Sequence, residues 1–172
     1  MSDFTNSLSA GFISDLMSLH AKIDAVEIDK ARNCLLDFLG VSLAGAGDTN
    51  SRSGALRGIL ATSGYQSNVN GHTPKTDLFA AALLNGINAH TLELDDGHRY
   101  GMVHPGATVI AALLPLASSI NANDLDLLRA IVVGYEAAIK IAIAVQPGMK
   151  HRGYHATGTC GALGAAMGAG FL

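Results

Sequence analysis

The run from Thr157 to Leu172, Thr-Gly-Thr-Cys-Gly-Ala-Leu-Gly-Ala-Ala-Met-Gly-Ala-Gly-Phe-Leu, constrains the fold more than any other stretch of the chain. Glycine is a poor helix former, kept in a helix where backbones must approach closely. Glycines at 161, 164, 168 and 170 therefore predict a helix pressed against its neighbours. The charged share points the same way: at 15% it is well under the usual quarter, too little to cover an isolated domain. The helices are thus expected to be buried on more than one side or packed against further protein. No cap, polar turn or basic last turn closes the run. Residues 1–172 accordingly read as one all-helical domain, a fragment of a longer helical domain.

Helical spacing recurs upstream. Ile28, Ala31, Leu35, Phe38, Leu39 and Leu43 predict a helix over Glu27–Leu43, with Gly45 and Gly47 as stop signals. Shorter helices are expected over Ser9–His20 and Ser53–Ala61. The turn-like Ser67–Thr73, with Asn70-Gly71 inside it, suits a small hairpin. Asp77–Leu94 reads as a helix that delivers His90, Glu93 and Asp95 at its C-terminal end. Ala107–Ser118 follows, with a kink expected at Pro115. Asn123, three residues before Asp126, predicts the cap of a long helix to Val145, which Pro147-Gly148 breaks. No useful length alternates with period two, so the fold class is all-α, a helical bundle.

Charge excludes several functions. A net charge of −3 gives no basic field for nucleic acid and no polybasic patch for lipid. The most apolar stretch, Leu125–Val145, is interrupted by Arg129, Glu136 and Lys140, the last two at ion-pair spacing, and reads as a buried helix rather than a membrane span. Met1–Asn6 carries no secretory pattern. Cys34 and Cys160 read as reduced core thiols, and the expected compartment is the cytoplasm.

The chemistry is concentrated in His90–Gly106. Three of the seven histidines and three of the fourteen acidic residues fall in these 17 positions. Imidazoles and carboxylates crowded between apolar helices predict a polar pocket at a helix junction. His104 stands at Pro105-Gly106, the start of one apolar helix, and His155 stands before Thr157 and Thr159, the start of the Gly/Ala helix. Free N–H groups and the macrodipole make such openings receptive to carboxylate or phosphate. Two of them in one cavity would suit a small polycarboxylate, with Tyr154 and Arg152 as further anion contacts. His90, Asp95, Asp96, His98 and His104 could instead hold a divalent metal in a hydrolase, although their spacing matches no ligand pattern. Each histidine could also be a helix cap or a satisfied core residue, leaving a fragment that serves only packing or partner binding.

Ordered motifs narrow these alternatives. Ala89-His-Thr-Leu-Glu-Leu-Asp-Asp96, His104-Pro-Gly-Ala107, Val133-Gly-Tyr-Glu136 and Tyr154-His-Ala-Thr-Gly-Thr-Cys-Gly-Ala162 together resemble the MmgE/PrpD superfamily. Leu36-Asp-Phe-Leu-Gly-Val-Ser-Leu-Ala-Gly45 and Leu84-Asn-Gly-Ile-Asn88 are similar too. The superfamily includes methylcitrate dehydratase, cis-aconitate decarboxylase and an iminodisuccinate epimerase. The resemblance implies a large all-α domain, a smaller α/β domain absent from these residues, and a homodimer. It makes His104, His155, Asp96 and Glu93 the catalytic candidates, with Glu93 where an aspartate is more usual. Thr157, Thr159, Tyr154 and His98 become the substrate contacts. The implied activity is acid–base dehydration of a di- or tricarboxylate with no metal and no organic cofactor. Catalytic lysines are implied beyond residue 172, so these residues alone are expected to be weak or inert.

Overall fold

The computed structural model describes residues 7–48 and 67–172, together with Leu56. The helix expected over Ser53–Ala61 lies outside the described residues apart from Leu56, which is helical. The described elements are α1 (Leu8–His20), α2 (Ala25–Ala46), β1 (Ser67–Val69), β2 (His72–Thr76), α3 (Leu78–His90), α4 (Gly106–Ile120), α5 (Asp124–Val145), the single turn α6 (Gly148–His151) and α7 (Ala156–Phe171). The fold is all-α, with one two-stranded antiparallel sheet among the described residues.

Side-chain caps set most helix starts. Ser7 accepts from Ala10 N at 3.1 Å, and Asp24 with Glu27 forms a capping box that starts α2 two residues before the expected Glu27. Asp77 accepts from the N–H groups of Phe79 and Ala80, and Asn123 from that of Asp126 at 2.9 Å. Each satisfies a donor the helix leaves open. Gly45 is inside α2 rather than beyond it: a Cβ there would stand 2.0 Å from the carbonyl oxygen of Asn88, so its glycine serves packing, and Gly47 is the cap. The hairpin turns at Asn70-Gly71, with Gly71 at φ 73°.

The core sits around α4, whose Val109, Ile110 and Leu113 are fully buried. This helix packs against α2, α3, α5 and α7, and it runs through Pro115 as one continuous helix. α7 lies along α5 at very short range. A Cβ at Gly164 would stand 2.5 Å from the Gly134 carbonyl oxygen, and one at Gly168 would stand 2.9 Å from that of Ala130. Gly161 is closed off by Thr108, whereas Gly170 faces open space and has no such role. Glu136 and Lys140 form the expected ion pair at 2.9 Å. No helix of the structure is long and apolar enough to cross a membrane, among the described residues.

The expected end of α3 is corrected. The helix stops at His90, not Leu94, because Glu93 takes a left-handed φ of 53° that a helix cannot continue through. Thr91 donates its hydroxyl to the Ile87 carbonyl at 2.6 Å as the turn closes. Glu93, Asp95 and Asp96 are consequently loop residues, free to fold back over the helix end.

Candidate active site

Four segments meet where α3 ends and where α4 and α7 begin. His90 is the last residue of α3, Asp95 and Asp96 lie in the following loop, His104 precedes α4, and His155 is the N-cap of α7. The loop between Asp96 and His104 is held in a tight fold. His98 N–H donates to the Val103 carbonyl at 2.9 Å, and Gly101 N–H donates to His98 Nδ1 at 3.2 Å. Val103, only 1% exposed, anchors the far side.

Three imidazoles stand together. Ring centroids are 5.0 Å apart for His90 and His104, 6.2 Å for His90 and His155, and 6.5 Å for His104 and His155. Beneath them lies Asp95, its side chain 1% exposed. His90 Nδ1–H donates to its carboxylate at 2.9 and 3.1 Å, which fixes the proton on that nitrogen. His104 Nδ1 approaches the same carboxylate at 3.4 Å but out of line, so this buried nitrogen has no hydrogen bond. Glu93, exposed, reaches only the outer edge, 3.6 Å from His90 Nε2.

The two helix openings are joined through one threonine. His104 N–H donates to Thr157 Oγ1 at 3.0 Å, and Thr157 N–H donates to His155 Nδ1 at 3.3 Å. Because Nδ1 of His155 accepts, its neutral ring carries the proton on Nε2, a donor facing away from the helix. These bonds correct one expectation: the helix starts do not leave all their N–H groups free for a ligand. His155 takes one at α7, and Asp96 Oδ1 takes that of Gly106 at α4, at 3.1 Å. The Thr159 hydroxyl, exposed, folds back on its own helix and donates to the His155 carbonyl at 3.0 Å.

Asp96 faces a second compartment. A cleft of about 370 Å³ is lined by Lys30, Cys34, Asp96, His98, Tyr135 and Glu136, among others. Burial raises the Asp96 carboxyl above the usual carboxylate range, against the opposing pull of the Tyr135 hydroxyl and the Gly106 N–H. Burial and the Asp96 charge push the Tyr135 phenol well above its ordinary value. That hydroxyl is buried and makes no hydrogen bond in good geometry. The Cys34 thiol is raised as well, by burial first and Asp96 second. Only glycine fits at 106, because a Cβ there would stand 2.7 Å from Asp96 Oδ1 and 3.0 Å from the Tyr135 hydroxyl. Gly97 lines this cleft too, and a methyl on it would stand 3.7 Å from His104 Cε1, so the cleft adjoins the imidazoles.

Of the residues singled out in the sequence, His104, His155, Thr157 and Glu93 thus gather at the imidazole cluster, while Asp96 and His98 line the adjoining cleft. Tyr154 and Thr159 line a different hollow, with Arg152 and Met149. Sequence reasoning gave little weight to Asp95 and none to Cys34 or the Tyr135 side chain. Asp95 is separated from its partner His90 by a left-handed loop, and the other two occupy ordinary core positions of α2 and α5, so spacing carried no signal for them.

Comparison with known proteins gives the family. A cis-aconitate decarboxylase-like protein, oryM, of Aspergillus oryzae (strain ATCC 42149 / RIB 40) is 30% identical over 143 residues. The aligned region is 77% of this chain and 29% of that relative, so the chain spans well under half of its length. The model of the MmgE/PrpD N-terminal domain matches residues 10–172. The chain belongs to the MmgE/PrpD family, whose N-terminal domain it carries.

Proposed function

We propose that this domain carries the acid–base part of a lyase site acting on a small di- or tricarboxylate, by dehydration. The observation that carries the reading is the cluster of His90, His104 and His155 around buried Asp95, at the junction of three helix ends. His104 and His155 are the proton-transfer groups. One takes the proton from the carbon next to a substrate carboxylate, and the other protonates the departing hydroxyl, so that an enoate and water leave. Asp96 and Glu93 set the charge around them. Thr157, His98, Thr159 and Tyr154 are the substrate contacts, the last two reached from the neighbouring hollow. Charge developing on the substrate must be held by cations or N–H donors. The resemblance puts lysines for this beyond residue 172, so residues 1–172 alone are weak or inert. The homodimer and the lack of a resident cofactor rest on the same resemblance, and the cytoplasmic setting rests on reading Cys34 and Cys160 as reduced thiols.

Decarboxylation is the second reading, favoured by the name of the Aspergillus relative. It would use the same groups in the opposite sense: carbon dioxide leaves, and an imidazole donates a proton to the carbon left behind. Incubation of the protein with methylcitrate and cis-aconitate, followed by ¹H NMR, separates the two. An enoate with water lost supports dehydration, and loss of one carbon supports decarboxylation. Neither product from a chain that carries this domain together with those lysines, with the histidines intact, would count against both.

A further inference from the structure

His90, Asp95 and His104 each offer one ligand atom, and these atoms lie within 4.8 Å of one another. Zinc bonds to imidazole nitrogen and carboxylate oxygen are about 2.0–2.2 Å, so tetrahedral ligands stand about 3.3 Å apart. The separations from the Asp95 oxygen to His90 Nδ1 and His104 Nδ1, 2.9 and 3.4 Å, bracket that value. His104 Nδ1 adds an independent sign, being a buried ring nitrogen with no hydrogen bond. Buried polar atoms normally have a partner, and one left over needs explaining. Glu93 is 73% exposed and 3.6 Å from His90, too loosely placed to be a fixed ligand.

We propose that His90, Asp95 and His104 form a reversible site for zinc or a similar borderline divalent ion, which blocks proton transfer while bound. Two imidazoles and one carboxylate suit such an ion, whereas magnesium and calcium prefer all-oxygen shells. Three protein ligands leave a fourth position for water or a substrate carboxylate, on the side where His155 stands exposed. On binding, His90 gives up the proton it shares with Asp95, and His104 loses the lone pair through which it would act as a base. The binding is a property of the three side chains alone. The blocking effect rests on the catalytic reading of His104 given above.

The test is titration of the wild-type chain with zinc, and with cobalt(II) as a spectroscopic probe, in buffer free of carboxylates. Binding should saturate at one equivalent, with the absorption of four-coordinate cobalt. The ring NMR signals of His90 and His104 should shift, and those of His98 and His151 should not. Asp95→Asn should weaken binding by more than the roughly 10–100-fold typical of losing a supporting partner. Absence of saturable binding to the folded wild-type chain would overturn the proposal. So would saturation that moves the His98 or His151 signals instead, and neither result depends on a variant that folds. If zinc binds as described and the turnover of a chain that also supplies the lysines is unchanged in its presence, the metal site is upheld and the catalytic reading is what fails.

Discussion

The backbone N–H of His104 donates to Oγ1 of Thr157 at 3.0 Å, across 53 positions of sequence. This bond ties the entrance of α4 to the first turn of α7, where the Thr157 N–H in turn donates to the N-cap His155. The distance between the two histidines therefore depends on a buried threonine that is not one of the proton-transfer groups. Thr157→Val keeps the shape and removes the acceptor. It leaves the His104 N–H unsatisfied, which costs roughly 1–3 kcal/mol. Urea unfolding should show a loss of that size, and turnover of a chain that also supplies the lysines should fall without a change in the circular dichroism of the helices.

The contact of α7 with α5 makes a second prediction. At Gly164 an added methyl would meet the Gly134 carbonyl oxygen at 2.5 Å and the Ala138 Cβ at 2.6 Å. Gly164→Ala should therefore destabilise by about 1–3 kcal/mol, the usual cost of overfilling a packed core. At Gly40, on the exposed side of α2, a methyl meets nothing within 4 Å. Gly40→Ala should stabilise by about 0.5–1 kcal/mol through helix propensity alone. Thermal unfolding of the two variants beside the wild type checks both signs at once.

Cys34 supplies the pH dependence. Burial and the nearby Asp96 raise its thiol, so less thiolate is present at a given pH than for an ordinary cysteine. Alkylation of Cys34 by iodoacetamide should be slow at mildly alkaline pH and should climb only beyond the usual thiol range. Linkage has the same sign. A group whose folded pKa is raised contributes its stability below the unfolded value, and that contribution is lost as pH rises through the folded one. Stability should therefore decline on the alkaline side, and Cys34→Ser should flatten that decline. Cys34 lines the cleft beside Asp96, so a ligand seated there should slow the alkylation further.

Much of this fold was legible in the sequence, because helices announce themselves locally. Asn123 capped the helix it was expected to cap, the Asn70-Gly71 turn made a hairpin, and the glycines at 161, 164 and 168 lie where helices press together. The end of α3 was not legible. Helical periodicity continues through Leu94, and only the left-handed Glu93 and the fold-back of Asp95 onto His90 stop it. The site was legible as a concentration of imidazoles and acids but not as an arrangement. Asp96 reaches Gly106 N–H from ten positions upstream, and Thr157 reaches His104 from the far end of the chain. Such bonds depend on where the helices pack, which no local pattern encodes. For the same reason Tyr135 and Cys34, unremarkable in their own helices, converge on Asp96.

The central proposal is that His104 and His155 belong to a single polycarboxylate site. The most direct measurement is NMR of the histidine rings while the protein is titrated with cis-aconitate and with tricarballylate, a saturated tricarboxylate. His104 and His155 should shift together along one saturating curve, with His90 following and His151 unmoved. A curve that moves His151 without His104, or that moves His104 and His155 with separate affinities, would contradict it.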